Sequence, residues 1–302
     1  MRAQDSATRP RAVTVPAGVS GGTLAAALAV VSFSLSFPAT ALALEGFGPW
    51  TVTGARGLLA GLLAAACLLA ARVPPPERRH LPDLLTVSAG CVIGFPLLTA
   101  LALRTTDTGH SAVVIGILPL ATAIISSVLT GGRPSRAFWT AAGIGAAAVL
   151  AFTLGRAGGA PTPGDGYLFA AVLAAAAGYA RGGRLASHLP GWQVIAWAAV
   201  VALPVCAVLT AGAAVTETAH PGPGAIAGLL YLAAVSQFGG FVLWYRGMAL
   251  IGVPRAGQLQ LAQPLLTLLW AVGLMGERLP ASAPLVAVIV LGCIVVTQRA
   301  RS

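Results

Sequence analysis

QLAQPLLTLLWAVGLMGERLP, residues 260–280, is an apolar run that carries a proline in its first third, two glutamines and a Gly-Glu-Arg ending. Proline removes one helical hydrogen bond and leaves the carbonyl four residues earlier, here that of Gln260, without its partner. In a lipid bilayer this carbonyl and the amides of Gln260 and Gln263 need partners inside the protein or in cavity water. The run therefore predicts a membrane helix that is kinked at Pro264 and faces a polar interior.

The composition of the whole chain supports a membrane protein. Of its 302 residues, 57% are hydrophobic and 9% are charged, and the mean hydropathy is +0.86, whereas soluble proteins carry about 25% charged residues. The basic residues are all arginines, scattered singly between apolar runs, so the net charge of +10 does not indicate a nucleic-acid partner. The four cysteines lie singly in apolar runs without metal-ligand spacing, and we expect no metal and no other cofactor.

Ten apolar runs are long enough to cross about 30 Å of hydrocarbon, which takes roughly 20 helical residues. Their uniform apolar character indicates helices, since the strands of a membrane barrel would alternate. We number them segment 1 to segment 10, near residues 21–43, 50–71, 82–103, 110–130, 136–155, 166–186, 191–212, 224–245, 254–275 and 281–298. The predicted fold class is an all-α polytopic membrane protein with ten transmembrane helices.

The arginines predict the orientation, because cytoplasmic loops of membrane proteins are rich in basic residues. With the N-terminus in the cytoplasm, the inner side holds Arg2, Arg9, Arg11, Arg72, Arg78, Arg79, Arg133, Arg136, Arg181, Arg184, Arg246, Arg255, Arg299 and Arg301. The outer side holds Arg104, Arg156 and Arg278, and Arg56 lies within segment 2. This excess predicts a protein of the cytoplasmic (inner) membrane with both termini inside, as tails at 1–20 and 299–302.

Sliding the chain over itself by 145 residues reveals an internal duplication. The matches include Gly21 on Gly166, Gly46 on Gly191, Gly94 on Gly239, Pro119 on Pro264, Gly131 on Gly276 and Arg133 on Arg278. Each copy holds five segments, in residues 21–155 and 166–298, with a linker at 156–165. Because five is odd, the second copy enters the membrane from the opposite side, which gives two inverted five-helix repeats of the kind that secondary transporters use.

The opening stretch has an equivalent in the first repeat, IGILPLATAIISSVLTGGRPS, at residues 115–135. Pro119 and Pro264 thus occupy matching points of segments 4 and 9. One interpretation is that both kinks border a polar cavity between the repeats, where the freed carbonyls of Ile115 and Gln260 can be satisfied. The other is that both prolines only shape helix packing. We favour the cavity.

The paired endings Gly131-Gly132-Arg133 and Gly276-Glu277-Arg278, each after a proline, together with the ten segments, resemble the EamA type of the drug/metabolite transporter superfamily. WQVIAW at 192–197 and FVLWYRGMAL at 241–250 are also similar to that family. The resemblance covers about residues 20–298 and implies a central cavity between the repeats and transport of small metabolites. Gly132 departs from the pattern, since the first repeat would usually carry a glutamate there.

Polar and aromatic side chains inside the segments are candidates for substrate binding, since polar groups at membrane depth face the protein interior. The candidates are Gln260, Gln263, Thr267 and Trp270 in segment 9, Gln237 and Trp244 in segment 8, Tyr179 and Arg181 in segment 6, and Ser32 and Ser36 in segment 1. The alternative is that these groups hydrogen-bond one helix to another. We favour cavity lining for the glutamines and helix bonding for the serines.

The charged residues leave two further expectations. Arg181 either extends to the membrane surface or meets the carboxylate of an anionic or zwitterionic substrate. No acidic residue lies deep in a segment, so a proton relay through a buried carboxylate is not expected. His110, at the outer start of segment 4, is expected on the surface.

The sequence therefore predicts a secondary transporter and not an enzyme. It would move small organic metabolites, amino acids or related compounds before amphipathic drugs, by alternating access, and the family resemblance favours export. Its partners would be the substrate and the lipid bilayer, and the sequence fits either a monomer or a homodimer. The alternatives are a membrane enzyme acting on lipid or isoprenoid, whose clustered carboxylates or histidines are missing, and a non-transporting membrane partner protein.

Overall fold

The computed structural model describes residues 17–130, 135–156, 162–251, 256, 259–260 and 262–299. Helices and short connections make up these ranges, which contain no strand. Six helices are long and apolar enough to cross a membrane: Gly21–Leu44, Pro49–Ala70, Arg78–Ala102, Thr108–Leu129, Gly191–Thr216 and Pro223–Ile251. Shorter apolar helices lie at Arg136–Phe152, Ala262–Gly273 and Ser282–Cys293. The all-α class is confirmed, while the number of ten membrane crossings stays a prediction.

The helices follow the predicted segments closely. In the first repeat they are Ala17–Ser34 and Ser36–Leu44 (segment 1), Pro49–Ala70 (segment 2), Leu81–Val87, Ser88–Gly94 and Phe95–Ala102 (segment 3), Thr108–Ile115 and Leu118–Thr130 (segment 4) and Arg136–Arg156 (segment 5). In the second they are Pro163–Leu185 (segment 6), Gly191–Thr216 (segment 7), Pro223–Leu230, Tyr231–Gly239 and Gly240–Ile251 (segment 8), Ala262–Gly273 (segment 9) and Ser282–Arg299 (segment 10). Arg2, Arg9, Arg11, Gly131, Gly132, Arg133, Arg255 and Arg301 lie outside the described residues.

Segments 3 and 8 share a local irregularity at matching positions. Ser88–Gly94 and Tyr231–Gly239 are both wound as π-helix, a wider winding that is rare and short in proteins. Each ends at a glycine, and a β-carbon there would lie 2.7 Å from the Ala89 carbonyl oxygen in segment 3 and 3.1 Å from that of Ala234 in segment 8. The 145-residue offset thus relates the backbone of the two segments as well as their sequence.

The packing of the helices also follows the offset. Segment 1 packs along segment 8, and the equivalent pair, segments 6 and 3, is in contact too. Segment 4 packs on segment 6, as segment 9 does on segment 1. Segments 2 and 7, 4 and 9, and 5 and 10 each pack against their own equivalent. Both halves of the chain therefore meet at the centre of the bundle.

Carboxylates join the helices at the end of the bundle that we call the outer end, after the predicted orientation. Glu277 accepts hydrogen bonds from the backbone N–H groups of Thr108 and Gly109 at 2.9 and 2.8 Å, where segment 4 begins. Glu217, at the end of segment 7, accepts in the same way from Trp50 and Thr51 at the start of segment 2. Both cap helix N-termini, whose first N–H groups have no partner within the helix.

The ending of the opening stretch has a structural explanation. Gly276 has a φ of +67°, in the left-handed region that favours glycine. This conformation ends the helix and turns the chain, so that the Glu277 N–H returns to the Ala271 carbonyl at 3.0 Å. The Glu277 carboxylate can then reach segment 4. The family-like glutamate serves as an interhelical cap in this structure.

His110 is the one expectation at this end that the structure contradicts. Its ring is buried, and Nε2 lies 2.6 Å from Oδ1 of Asp165, which is also buried. The Phe152 ring stacks on the histidine at 5.3 Å. The histidine looked exposed because it starts an apolar run, but Asp165 at the start of segment 6 supplies a partner that the linear sequence does not reveal.

Candidate functional site

Two adjoining cavities occupy the centre of the bundle. The larger has a volume of about 30 Å³ for the centres of water-sized spheres and is lined by Phe33, Ser36, Phe37, Arg56, Cys91, Phe95, Leu118, Ala175, Tyr179, Ser236, Phe241 and Gln263. The smaller, of about 20 Å³ on the same measure, is lined by Phe37, Ala112, Ile115, Gly116, Leu118, Pro119, Gln260, Gln263, Pro264 and Thr267. Phe37, Leu118 and Gln263 belong to both. Spaces of this size hold about two water molecules at most, so the surrounding helices must move apart before a small molecule can enter.

The smaller cavity lies where segments 4 and 9 meet. Segment 4 is interrupted at Gly116 and Ile117, between its helices Thr108–Ile115 and Leu118–Thr130. Pro119 and Pro264 both line the cavity, together with Ile115 and Gln260, the residues whose carbonyls the prolines leave without a helical partner. The two proline sites of the repeats therefore border one cavity, in which Gln260, Gln263 and Thr267 supply the polar side chains.

Aromatic rings form much of the wall of the larger cavity. The Phe33 and Phe241 rings lie 5.0 Å apart between centroids, and Tyr179 meets Phe241 edge-on at 5.9 Å. Phe37 packs edge-on against Phe95 at 6.5 Å. These rings come from segments 1, 3, 6 and 8, so that both repeats contribute. An apolar part of a ligand would be in contact with ring faces and edges on several sides.

Arg56 brings a positive charge into this apolar wall. It lies seven residues after Pro49, about 10 Å along the helix at 1.5 Å per residue, and its side chain is only 5% exposed. Nη2 donates to the Ser236 hydroxyl at 3.3 Å, and the Ser236 and Ser36 hydroxyl oxygens lie 2.7 Å apart. Its buried Nε has no hydrogen-bond partner within the described chain. No carboxylate pairs with this guanidinium among the ion pairs of the described residues.

Five of the ten predicted binding residues line the two cavities. Gln263 borders both, Gln260 and Thr267 border the smaller one, and Ser36 and Tyr179 border the larger. The structure thus brings residues from segments 1, 6 and 9 to one place, as the cavity interpretation requires. Their role in binding stays a prediction.

Segment 9 also holds segment 1 at a break in its helix. Pro38 leaves the Ser34 carbonyl without a helical donor, and segment 1 is interrupted at Leu35. Thr267 donates to that Ser34 carbonyl at 3.0 Å, and the Trp270 indole N–H donates to the Ser34 hydroxyl at 2.9 Å. Thr267 and Trp270 therefore bond two helices together, which is the alternative that the sequence left open.

The remaining candidates in segments 1 and 8 are placed away from the two cavities. Gln237 is fully buried and donates to the Cys91 carbonyl at 3.3 Å, which ties the π-helical stretch of segment 8 to that of segment 3. Trp244 is buried and packs edge-on against Phe33 at 6.3 Å. The Ser32 hydroxyl donates to its own helix, at the Leu28 carbonyl.

Arg181 meets a carboxylate, but one that belongs to the chain. Its Nη1 lies 2.9 Å from Oδ1 of Asp83, and Arg184 holds the other oxygen of the same carboxylate at 2.8 Å. Asp83 is buried, while the side chains of the two arginines are 31% and 54% exposed. This cluster joins segment 3 to segment 6 at the end opposite Glu277. A substrate carboxylate would have to compete with Asp83 for Arg181.

Arg56 and Ser236 are the polar cavity residues that the sequence reasoning did not select. Arg56 was visible as the arginine inside an apolar run, the placement that marks functional residues in membrane helices. Ser236 gave no comparable signal, because its neighbour Gln237 is the more conspicuous polar residue. In the structure Ser236 lines the larger cavity, while Gln237 donates to the Cys91 carbonyl.

The comparison with known proteins decides the family. The sequence profile described as "EamA-like transporter family" matches residues 20–154 and, a second time, residues 162–298. The chain belongs to this family. The EamA-type resemblance of the sequence is thereby confirmed, and the protein is a multi-pass membrane protein with two copies of the family's domain.

One curated relative and one solved structure are similar to this EamA-like protein. It is 40% identical over 272 residues to "Uncharacterized transporter YdeK" of Bacillus subtilis (strain 168), which covers 90% of this chain and 95% of the relative. A solved structure, titled only "Crystal structure of protein", superimposes with a TM-score of 0.64 at 20% identity, over 93% of this chain and 98% of that one, and supports the fold alone. The family and the relative point to a transporter rather than an enzyme. In the described residues, no group of three or more His, Cys, Asp or Glu could hold a metal ion.

Proposed function

We propose that this EamA-like protein is a secondary transporter that moves small organic metabolites across the cytoplasmic membrane by alternating access. The observation that carries the proposal is the pair of adjoining cavities, which lie where the two family domains meet and are lined by both proline sites. A binding site between two repeats is the arrangement that lets one repeat move against the other and expose the site to each side in turn.

The proposed architecture is ten transmembrane helices in two inverted five-helix repeats. Its support is the repetition of structure at the 145-residue offset, which covers the π-helical stretches of segments 3 and 8 and the pairing of equivalent helices. With five segments in each domain, the second must be inverted. The arginine distribution supports a cytoplasmic position for both termini.

Reporter fusions test the inverted repeats directly. A reporter joined after Ser302 should be cytoplasmic, and one inserted at Pro163, at the start of the second family domain, should be outside. A fusion after Ala71, between segments 2 and 3, serves as an internal control and should be cytoplasmic. Reporters after Ser302 and at Pro163 on the same side would rule out an odd number of crossings in the second domain.

The substrates are proposed to be amino acids or related compounds, with amphipathic drugs second, and export is the proposed direction. Cells that express the protein should tolerate toxic amino-acid analogues better than cells with an empty vector, and should retain less of a labelled analogue after loading. A tag on the protein confirms its presence in the membrane. Equal tolerance and equal retention across the analogue panel, with the protein present, would contradict export of these compounds.

A further inference from the structure

We propose that Arg56 binds a carboxylate group of the transported molecule, and that the substrate class is therefore organic anions and zwitterions with an apolar body. The inference rests on the proposed transport function and specifies its substrate. The sequence suggested Arg181 as the partner of a substrate carboxylate. We assign that role to Arg56 instead, because Arg181 already forms an ion pair with Asp83.

The buried charge of Arg56 is the first feature that favours a carboxylate ligand. A charge removed from water is strongly unfavourable unless it is paired and hydrogen-bonded. The Arg56 side chain is 5% exposed, about 10 Å into its helix, and in the described chain it has a serine hydroxyl as its partner and no carboxylate. A hydroxyl contributes one hydrogen bond and no negative charge, so the charge of Arg56 is left for a ligand to neutralise.

The second feature is the geometry of the donor. A guanidinium presents several N–H groups in a planar fork that suits the two oxygens of a carboxylate. Arg56 lines the larger cavity, and its Nε makes no hydrogen bond to the described chain. The residue is thus buried, incompletely bonded and at the wall of the larger cavity.

The third feature is the chemistry of the remaining wall. Ser36, Ser236, Tyr179 and Gln263 are neutral hydrogen-bonding groups, and the described residues that line the cavity include no acidic one. The phenylalanine rings of segments 1, 3 and 8 offer apolar contacts for the rest of the ligand. A cationic ligand would be repelled by Arg56, with no negative charge in the described lining to offset the repulsion. An anion with an apolar body can pair its charge with Arg56 and pack its body against the phenylalanine rings.

Binding to the purified protein in detergent tests the proposal independently of transport. The probes are matched carboxylates and primary amides with aromatic, branched and linear bodies: phenylacetate and phenylacetamide, isovalerate and isovaleramide, hexanoate and hexanamide. Inorganic phosphate forms a separate arm. We expect at least one carboxylate to raise the unfolding temperature of the wild-type protein, at a half-saturating concentration at least about tenfold below that of its amide.

Substitutions of Arg56 locate the effect. Arg56→Gln should raise the half-saturating concentration of that carboxylate at least about tenfold, to the level of the amide, and Arg56→Lys should retain part of the preference, because it keeps the charge without the fork. Arg181→Gln, the matched control, should bind as the wild type does. If Arg56→Gln does not fold, the test rests on two measurements: the preference of the wild type for the carboxylate over its amide, and a smaller preference of the same kind in Arg56→Lys.

Several outcomes would overturn the carboxylate site. They are equal stabilisation by acid and amide, no stabilisation by any of the carboxylates, wild-type binding by Arg56→Gln, and a response to phosphate that equals the response to the carboxylates. Efflux from proteoliposomes separates the two proposals. If the protein binds carboxylates in preference to amides but releases neither faster than protein-free vesicles do, the transport function is contradicted and the binding site is kept. If the protein speeds the release of amides over protein-free vesicles as much as it speeds that of carboxylates, the carboxylate site is contradicted and the transport function is kept.

Discussion

Arg56 and Arg181 are both arginines in apolar segments of the same bundle, and the structure gives them opposite surroundings. Arg181 lies near the end of segment 6 and shares the carboxylate of Asp83 with Arg184. Arg56 lies inside segment 2, is almost completely buried and contacts a serine hydroxyl. The first charge is neutralised by Asp83, while the second has no carboxylate partner in the part of the chain that the structure describes.

The difference shows that the partner of a membrane arginine says more about its role than its position in the sequence. An arginine held by a chain carboxylate joins helices, because its charge and its N–H groups are already engaged. An arginine that lines a cavity without a counter-charge is available to a ligand. The Asp83 cluster therefore belongs to the structure of one end of the bundle, and Arg56 belongs to the proposed binding site.

The largest expected effect separates the two arginines in transport. Arg56→Gln should reduce the initial rate of carboxylate transport in proteoliposomes at least about tenfold, since a charge-assisted hydrogen bond contributes roughly 1.5–3 kcal/mol. Arg181→Gln should change it less than about twofold, because Arg184 continues to hold Asp83. Equal losses in the two variants, at equal protein incorporation, would contradict the comparison.

Removing the shared carboxylate tests the other half of the comparison. Asp83→Asn leaves two arginines without their counter-charge, and both are partly exposed, so we expect a loss of about 1–2 kcal/mol in stability. Thermal unfolding in detergent measures it. Transport per folded molecule should stay within about twofold of the wild type. A loss of transport without a loss of stability would show that Asp83 takes part in coupling.

Two glutamines offer the same contrast without charges. Gln263 borders both cavities, whereas Gln237 donates to the Cys91 carbonyl. Either change to Leu should cost at most about 1–3 kcal/mol, the penalty for an unpaired buried group. Gln263→Leu should change the relative rates for different substrates several-fold, while Gln237→Leu should keep them. Unchanged relative rates in Gln263→Leu would make Gln263 a helix contact as well.

The smallest expected effect concerns the cap at the outer end. Glu277→Gln keeps an oxygen that can accept from Thr108 or Gly109 but removes the negative charge at the N-terminus of segment 4. We expect a loss of about 0.5–1 kcal/mol in thermal stability and an unchanged rate of transport. If transport stopped while the amount of protein in the membrane was maintained, the glutamate would have a role in coupling that its capping contacts do not explain.

Most of the fold was accessible from the sequence because hydropathy and glycine and proline spacing are local signals. The segment positions, the family and the pairing of Pro119 with Pro264 all follow from them. The interruptions of segments 1, 3 and 8 are harder to predict. In segment 1, Pro38 weakens the helix, but Thr267 from segment 9 is what satisfies the freed Ser34 carbonyl.

The lining of the cavities was only partly predictable. Residues far away in sequence decide which polar side chains hydrogen-bond to another helix and which line a cavity. Tyr179, Gln260 and Gln263 were candidates and do line the cavities. Gln237 and Ser236 are adjacent in sequence, yet Gln237 donates to the Cys91 carbonyl and Ser236 lines the larger cavity. Arg181 and Arg56 could not be told apart without the position of Asp83.

The most direct test of the account is to give Arg56 the counter-charge that Arg181 already has. Ser236→Asp places a carboxylate at the position that now offers a hydroxyl at 3.3 Å, and Ser236→Asn is the neutral control of similar size. Carboxylate binding is measured by the shift in unfolding temperature. The account predicts that Ser236→Asp loses carboxylate binding and, without ligand, is at least as stable as the wild type, while Ser236→Asn still prefers the carboxylate to its amide. A Ser236→Asp protein that binds the carboxylate as well as the wild type does would contradict the claim that the free charge of Arg56 holds the substrate.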